Sequence, residues 1–288
     1  GRPGAQHVRL LVGATGAEGI ELLADSGGRA APPRIGLGVG VEPALPDRGF
    51  ALRLRMAELD IDRWREFLAV DDPLSGPNDL PHPDRLSLRV GSARIARKSI
   101  EDLEIEATRR DAAWTARVHS RQADGEIEWR EAGDAEPGGV LVARFSRLEI
   151  PGSEADEFDS LLAEAPRTLP ALDVRADRFT LGAMDLGALE LSARQGGNDR
   201  PGDWLIDRLV LDHAAGRFEG TGRWSAAAAS PDQAAAAPSR TVALDFSLAV
   251  GNAGRLLAAL GFPDMVRGGS GDFSGDVSWQ GSPLAIVL

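Results

Sequence analysis

The sequence contains no cysteine, no apolar run of 18 residues and no basic run longer than a pair such as Arg109-Arg110. The absence of cysteine excludes disulfides, thiolate metal sites and catalysis by a thiol. The absence of a long apolar run excludes a membrane-spanning helix within these residues. Because basic clusters are missing and the net charge is −12, nucleic acid is excluded as a partner.

The composition is that of a folded chain, with 43% apolar and 26% charged residues over 288 positions. This length is sufficient to bury a substantial core. The sequence opens with Gly1-Arg2-Pro3-Gly4 and ends within the apolar run Ile286-Val287-Leu288. Since it has neither an initiator methionine nor a signal sequence, we expect it to be a piece of a longer protein.

An alternating strand followed by a short helix recurs three times along the chain. The strands begin near Phe50, Val140 and Val242, and the predicted helices span 60–70, 153–165 and 252–261. Asp60 and Asn252 are suitable N-caps, Ser153 with Asp156 resembles a capping box, and Gly261 fits a C′ position. The repeat is longer than that of a common solenoid.

A second pattern, Gly-x-x-x-Trp, occurs at 125–129, 220–224 and 275–279. Every tryptophan except Trp64 occupies an equivalent place in the repeats. Such tryptophans either anchor a core and set strand register, or form a belt at a lipid interface. The repeats predict a partial N-terminal unit at 1–49, complete units at 50–139 and 140–240, and the truncated start of a further unit at 241–288.

The strands alternate strictly between apolar and polar residues, as in Leu86, Leu88 and Val90 around Ser87 and Arg89. This period predicts antiparallel strands with one apolar and one water-facing side. Three short helices cannot cover the apolar side of about a dozen strands. Either the sheet closes on itself as a sandwich or barrel, or it forms a trough that is filled by something other than protein.

A glycine-rich segment and the four histidines are the two features that could indicate a nucleotide site or a metal site, and neither pattern is complete. The Gly13-Ala-Thr-Gly16-Ala-Glu-Gly19 segment is similar to a dinucleotide-binding turn, and would support a nucleotide-dependent enzyme. However, Gly27-Gly28 and Pro32-Pro33 would interrupt the helix that this turn needs, so a hairpin or loop is favoured. His7, His82, His119 and His213 lack the spacing of metal ligands. We predict no catalytic residue, no metal and no cofactor.

The segment from Gly261 to Pro283, GFPDMVRGGSGDFSGDVSWQGSP, resembles a hallmark stretch of the YhdP family. This family belongs to the AsmA-like, TamB-related proteins of the Gram-negative envelope. Two further stretches are similar to its repeats, 169–179 with 186–191, and 204–211 leading to 220–224. The resemblance runs from about Phe50 to the end of the sequence.

The resemblance implies a mostly β fold, a repeating antiparallel β-groove in a curved, twisted open sheet with a short helix per repeat. It also implies that the full-length protein is anchored in the inner membrane and works on the periplasmic side of the envelope. There it would carry phospholipid toward the outer membrane, with acyl chains lying along the groove. The family has no catalytic or cofactor motif, so we expect no enzyme activity.

The groove residues are inferred from alternation within the strands. They are Leu52, Leu54, Leu88, Leu103, Ile105, Ile127, Leu189, Leu191, Leu209, Leu211, Leu244, Phe246, Leu248 and Val277. The alternative function is a structural or scaffold β-module of the envelope with a closed core and no lipid cargo.

Overall fold

The computed structural model describes residues 6–10, 19–25, 33–60, 83–95, 98–133, 136–151, 169–196, 203–226 and 240–281. Within these ranges the chain forms fifteen strands and one short helix. In chain order they are β1 (Gln6–Leu10), β2 (Ile20–Asp25), β3 (Arg34–Val39), β4 (Gly49–Asp60), β5 (Arg85–Ile95), β6 (Lys98–Arg110), β7 (Ala113–His119), β8 (Ala123–Arg130), β9 (Val140–Ile150), β10 (Ala171–Leu181), β11 (Met184–Gln195), β12 (Trp204–His213), β13 (Gly216–Ala226), β14 (Arg240–Val250), α1 (Ala253–Ala259) and β15 (Gly271–Gln280).

The chain divides into two units, Gly1–Arg121 with β1–β7 and Gln122–Leu288 with β8–β15 and α1. In each unit the hydrogen-bonded order of the strands is their order in the chain. Among the described strands, no pairing joins the last strand of a unit to its first. The predicted mostly β fold with an open sheet is therefore confirmed. The boundaries of the predicted repeats stay a prediction.

The expectation of purely antiparallel strands is wrong, because the sheet is mixed. Strand β4 runs parallel to both β3 and β5, and β10 runs parallel to β9. A parallel pair needs a connection that returns the chain to the same end of the sheet. Residues 40–48 make the connection between β3 and β4, and most of the residues between β4 and β5 and between β9 and β10 lie outside the described ranges. Alternation in the sequence reports which face a side chain occupies, but not the direction of the neighbouring strand.

Helix α1 begins and ends where its capping residues predict. The side-chain oxygen of Asn252 accepts a hydrogen bond from the Arg255 amide at 2.9 Å, which satisfies one of the free N–H groups of the first turn. Gly261 follows the C-cap with φ of 94°, a left-handed conformation that suits glycine. The predicted helices at 60–70 and 153–165 lie outside the described residues, except that Asp60 is the last residue of β4.

Several strands contain bulges that alter their alternation. In β12 the register shifts between Ile206 and Leu209, so that both side chains face the same side of the sheet despite the odd spacing. Similar shifts occur next to Gly125 in the β8–β9 pair and beside Phe179 in β10. At each of these shifts a large apolar residue stands opposite a glycine: Ile206 opposite Gly222, Phe145 opposite Gly125 and Phe179 opposite Gly187.

Candidate functional site

In the unit Gln122–Leu288, one side of the sheet, called here the apolar face, carries apolar residues or glycine from strand to strand. Residues that stand opposite one another form rows across all of β8–β15. The three central rows are Trp129, Leu141, Leu172, Ala193, Ile206, Gly222, Leu244, Val277; then Ile127, Ala143, Val174, Leu191, Leu209, Gly220, Phe246, Gly275; then Gly125, Phe145, Ala176, Leu189, Leu211, Phe218, Leu248, Phe273.

The unit Gly1–Arg121 has an apolar face of its own. Two rows cross β2–β7, and Leu103 stands opposite Val90 in a third. The two rows are Leu22, Leu37, Leu52, Leu86, Ala107, Ala116 and Ile20, Val39, Leu54, Leu88, Ile105, Val118. Leu88, Val90, Ala93 and Leu103 form the buried centre of this face.

Every predicted groove residue lies on one of these two faces. In the first unit the structure brings together Leu52, Leu54, Leu88, Leu103 and Ile105. In the second unit it brings together Ile127, Leu189, Leu191, Leu209, Leu211, Leu244, Phe246, Leu248 and Val277. Their binding of lipid stays a prediction.

The sequence prediction missed several large members of the second face, among them Phe145, Phe218 and Phe273. Phe218 and Phe273 occupy alternate positions with the tryptophans of their own Gly-x-x-x-Trp segments, so period two was a sufficient signal for them. Phe145 likewise alternates with Leu141 and Ala143, and the bulge in β9 begins only after it, so period two was a sufficient signal there too.

Within each unit, the described strands pack mainly against their neighbours in the sheet, and no second sheet covers the apolar face. Most residues in the rows are half-buried, since flanking side chains of the same face shield them. On β15, however, Phe273 remains 60% and Val277 42% exposed. Helix α1 covers one end of the face, where Leu256 lies over Gly216. In the described part of the second unit, the apolar face is therefore covered at one end by α1 and remains exposed to solvent on β15.

Two tryptophans form the most enclosed part of the second unit. Trp204 and Trp224 are 8% and 2% exposed and meet edge to face, with ring centroids 6.4 Å apart. Trp204 Nε1 donates to the Pro170 carbonyl at 3.1 Å, and Trp224 Nε1 donates to the Gly281 carbonyl at 2.8 Å. At these two positions tryptophan anchors the core, with its polar atom satisfied.

In two of the three Gly-x-x-x-Trp segments, the glycine lies against a phenylalanine of a neighbouring strand. A Cβ at Gly125 would lie 2.7 Å from the Phe145 ring, which is closer than atoms can pack. At Gly275 the nearest atoms are those of the Phe246 ring, at 3.7 Å. Since residues four apart in a strand share a face, the motif places its glycine and its tryptophan on the same side of the sheet.

The opposite side of the sheet is polar and carries ion pairs between neighbouring strands. Exposed pairs of this kind contribute at most about 1 kcal/mol each, so they favour solubility more than stability. The hydrogen bond to Glu219 raises the pKa of the Arg217 guanidinium against some desolvation, and Asp212 adds to the effect. The other pairs include Arg144–Asp173 (2.6 Å), Arg194–Asp207 (3.0 Å) and Arg208–Glu190 (3.0 Å).

The part of the chain that the structure describes shows no sign of a metal site, a membrane-spanning helix or a dinucleotide-binding turn. It contains no cluster of three histidine or acidic side chains suited to a metal ion, and no helix long and apolar enough to span a membrane. Gly13 and Gly16 lie outside the described residues. The strands on either side of them, β1 and β2, pair antiparallel, whereas a dinucleotide-binding turn joins parallel strands through a helix.

Comparison with known proteins agrees with the resemblance seen in the sequence. Among curated proteins and among solved structures, nothing matches this chain. A family model described as YhdP protein matches residues 17–288. Because that match spans almost the whole sequence, the protein belongs to the YhdP family.

Proposed function

We propose that this chain is a segment of a bridge-like lipid-transfer protein, which carries phospholipid between the inner and outer membranes on its apolar face. The observation that carries the proposal is the set of continuous apolar rows across β8–β15, which no second layer of described residues covers. A large exposed apolar surface in a water-soluble region marks a site for an apolar partner.

The dimensions of this face suit acyl chains. Eight strands spaced by about 4.8 Å give rows about 34 Å long, and three rows two residues apart span about 14 Å. One leaflet of a bilayer has a hydrocarbon thickness of about 15 Å, which is the length of its acyl chains. The face of the second unit is therefore large enough for more than one chain.

The energy of binding would come from many weak contacts. Each CH₂ group removed from water contributes about 0.8 kcal/mol, so that ten half-buried groups supply about 4 kcal/mol. No single side chain is essential under this mechanism, and lipid exchanges along the face without a chemical step. The proposal therefore assigns no enzyme activity, and only acyl lipid and the two membranes as partners.

Family membership supports the location in this proposal, which is the periplasmic side of the Gram-negative envelope. The full-length protein is proposed to be anchored in the inner membrane. The segment described here would then contribute part of the lipid path, and both membrane contacts would be made by other parts of the protein.

Native mass spectrometry of the purified segment tests the proposal directly. We expect phospholipid to copurify with the folded protein, and delipidated protein to take up lipid from vesicles of phosphatidylethanolamine and phosphatidylglycerol. If the delipidated, folded protein takes up no lipid, the proposal fails and a scaffold module without cargo becomes the better explanation.

Substitutions on the two sides of β14 and β15 provide matched controls. Phe246→Asp and Val277→Asp place a carboxylate on the apolar face, and we expect each to reduce lipid uptake at least tenfold because the charge would be desolvated by an acyl chain. Ser247→Asp places the same charge on the polar face of β14 and should leave uptake unchanged. Val277 is already 42% exposed, so its substitution preserves the fold. Equal uptake by Val277→Asp and Ser247→Asp proteins would contradict this use of the face.

A further inference from the structure

One end of the apolar face in the second unit carries a positive charge. Arg240 is the first residue of β14 and alternates with Val242 and Leu244, so it shares their side of the sheet. Its guanidinium carbon lies 4.4 Å from the centroid of the Trp224 ring. The arginine therefore lies one row beyond the row that contains Trp204, Trp224, Val242 and Trp279.

The charge of Arg240 is not neutralised by the part of the protein that the structure describes. No described carboxylate pairs with it, and its Nη1 atom is shielded from solvent without a hydrogen-bond acceptor. Stacking on the electron-rich indole compensates only part of the lost hydration. A partly desolvated cation without an anion is unfavourable, because its N–H groups have exchanged water for no acceptor.

This arginine differs from those on the polar face. Arg144, Arg194 and Arg208 are all at least 40% exposed, and each pairs with a carboxylate on an adjacent strand. Their charges are already satisfied within the sheet. Arg240 is the described arginine of this unit that combines a position on the apolar face, an aromatic platform and an unfilled bonding position.

The other end of the same strands is apolar. Over β13–β15 it is formed by Gly216, Val250 and Gly271, and Leu256 of α1 lies over Gly216. Over β13–β15 the face is thus asymmetric along the strand direction, with Arg240, Trp224 and Trp279 at one end and Gly216, Val250, Gly271 and Leu256 at the other. On β12 the same row continues with His213, which stands opposite Gly216. An amphiphile bound here has one favourable orientation, with its anionic group at the arginine.

We infer that Arg240, held by Trp224, binds the phosphate ester of an acyl lipid whose chains extend along β14 over Val242, Leu244 and Phe246. The distance from Arg240 to Phe246 along the strand is about 20 Å. This matches the thickness of one bilayer leaflet with its headgroup, about 20–22 Å. A guanidinium can donate two parallel hydrogen bonds to a phosphate, whereas the hydroxyl headgroup of diacylglycerol offers no pair of anionic oxygens.

A related arrangement exists in the unit Gly1–Arg121. Arg109 follows Ile105 and Ala107 on the apolar face of β6 and stands directly opposite Trp114. An arginine beside a tryptophan at the end of apolar rows thus occurs in both units.

The inference rests on the proposed function and is tested by comparing lipids that differ only in phosphate. Delipidated protein is incubated with vesicles containing phosphatidic acid or diacylglycerol with the same chains, and bound lipid per folded molecule is measured by native mass spectrometry. We expect about tenfold preference for phosphatidic acid, the usual effect of a hydrogen bond to a charged group. Arg240→Gln should abolish this preference and leave diacylglycerol uptake unchanged.

Two further variants act as controls. Arg223→Gln removes the same charge from the adjacent strand, but on the polar face and at an exposed position. It should keep the preference, and Arg240→Lys, which retains the charge without the planar fork, should keep part of it. Melting temperatures of all variants confirm that folded molecules are compared.

The outcomes separate the site from the function. Equal uptake of both lipids by wild-type protein overturns the phosphate site but leaves the lipid-binding function intact. No uptake of either lipid overturns both. Equal losses in the Arg223→Gln and Arg240→Gln proteins overturn the site, since a general charge effect explains them. If inorganic phosphate binds wild-type protein as tightly as phosphatidic acid, the ligand is free phosphate and the lipid assignment is wrong.

Discussion

Replacing Trp224 with alanine removes one of the two largest fully buried side chains in the described structure. Its ring contacts Trp204 edge to face, Val242 stands directly opposite with no exposed surface, and its Nε1 donates to the Gly281 carbonyl. The substitution therefore opens a cavity in the tightest cluster of an otherwise half-exposed sheet. It also leaves one carbonyl without its donor.

The expected loss can be estimated from these contacts. Truncating a buried tryptophan to alanine costs about 3–5 kcal/mol, which includes the aromatic pair of about 1 kcal/mol. Trp224→Phe keeps most of the ring but loses the hydrogen bond, and should cost about 1–2 kcal/mol. Phe273→Ala removes an aromatic ring from the same face at a position 60% exposed, and should cost less than about 1 kcal/mol.

The assay is urea unfolding of delipidated protein followed by far-ultraviolet circular dichroism. Lipid must be absent, because any ligand that binds only the folded state raises apparent stability. The shift in midpoint multiplied by a common slope gives the free-energy difference. If Trp224→Ala loses less than about 1 kcal/mol, or no more than Phe273→Ala, Trp224 is an exposed interface residue and its assignment as a core anchor is wrong.

Two other predictions concern backbone geometry and helix capping. Gly222→Ala would direct its Cβ at the Ala243 carbonyl oxygen and the Leu244 Cα, so we expect the free energy of unfolding to fall by more than about 2 kcal/mol in the same urea assay. Gly275→Ala meets only the Phe246 ring at 3.7 Å and should change the free energy of unfolding by less than about 0.5 kcal/mol. Similar losses for both would refute the packing argument. Asn252→Ala removes the N-cap of α1 and should cost about 1 kcal/mol, seen as faster hydrogen exchange at Leu256 and Leu260, whereas Asn252→Asp should restore protection.

Membership of the apolar face was predictable because it depends on a local rule. Successive side chains of a strand point to opposite sides whatever strand lies beside it, so Leu244, Phe246 and Leu248 share a face in any sheet. Helix capping is equally local, and Asn252 and Gly261 act as the pattern indicates. The parallel direction of β10 relative to β9 was not predictable, because alternation within a strand is the same whichever way its neighbour runs.

The bulges mark the limit of the alternation argument. Ile206 and Leu209 would fall on opposite faces by counting, yet the register shift in β12 places both on the apolar face. Leu209 and Leu211 share a face because their own spacing is two. The relation of the two residues to Ile206 depends on hydrogen bonds to β11 and β13, which lie elsewhere in the sequence.

The sequence by itself determined that these strands have an apolar and a polar side, that glycine and tryptophan recur at fixed places, and that cysteine chemistry is absent. Only the tertiary structure decided that the sheet stays open, and that Arg240 stacks on Trp224 at one end of the rows. The physical reason is distance along the chain. Periodicity follows from the geometry of each strand, whereas register, closure and the placing of an unneutralised charge depend on contacts between strands that periodicity does not encode.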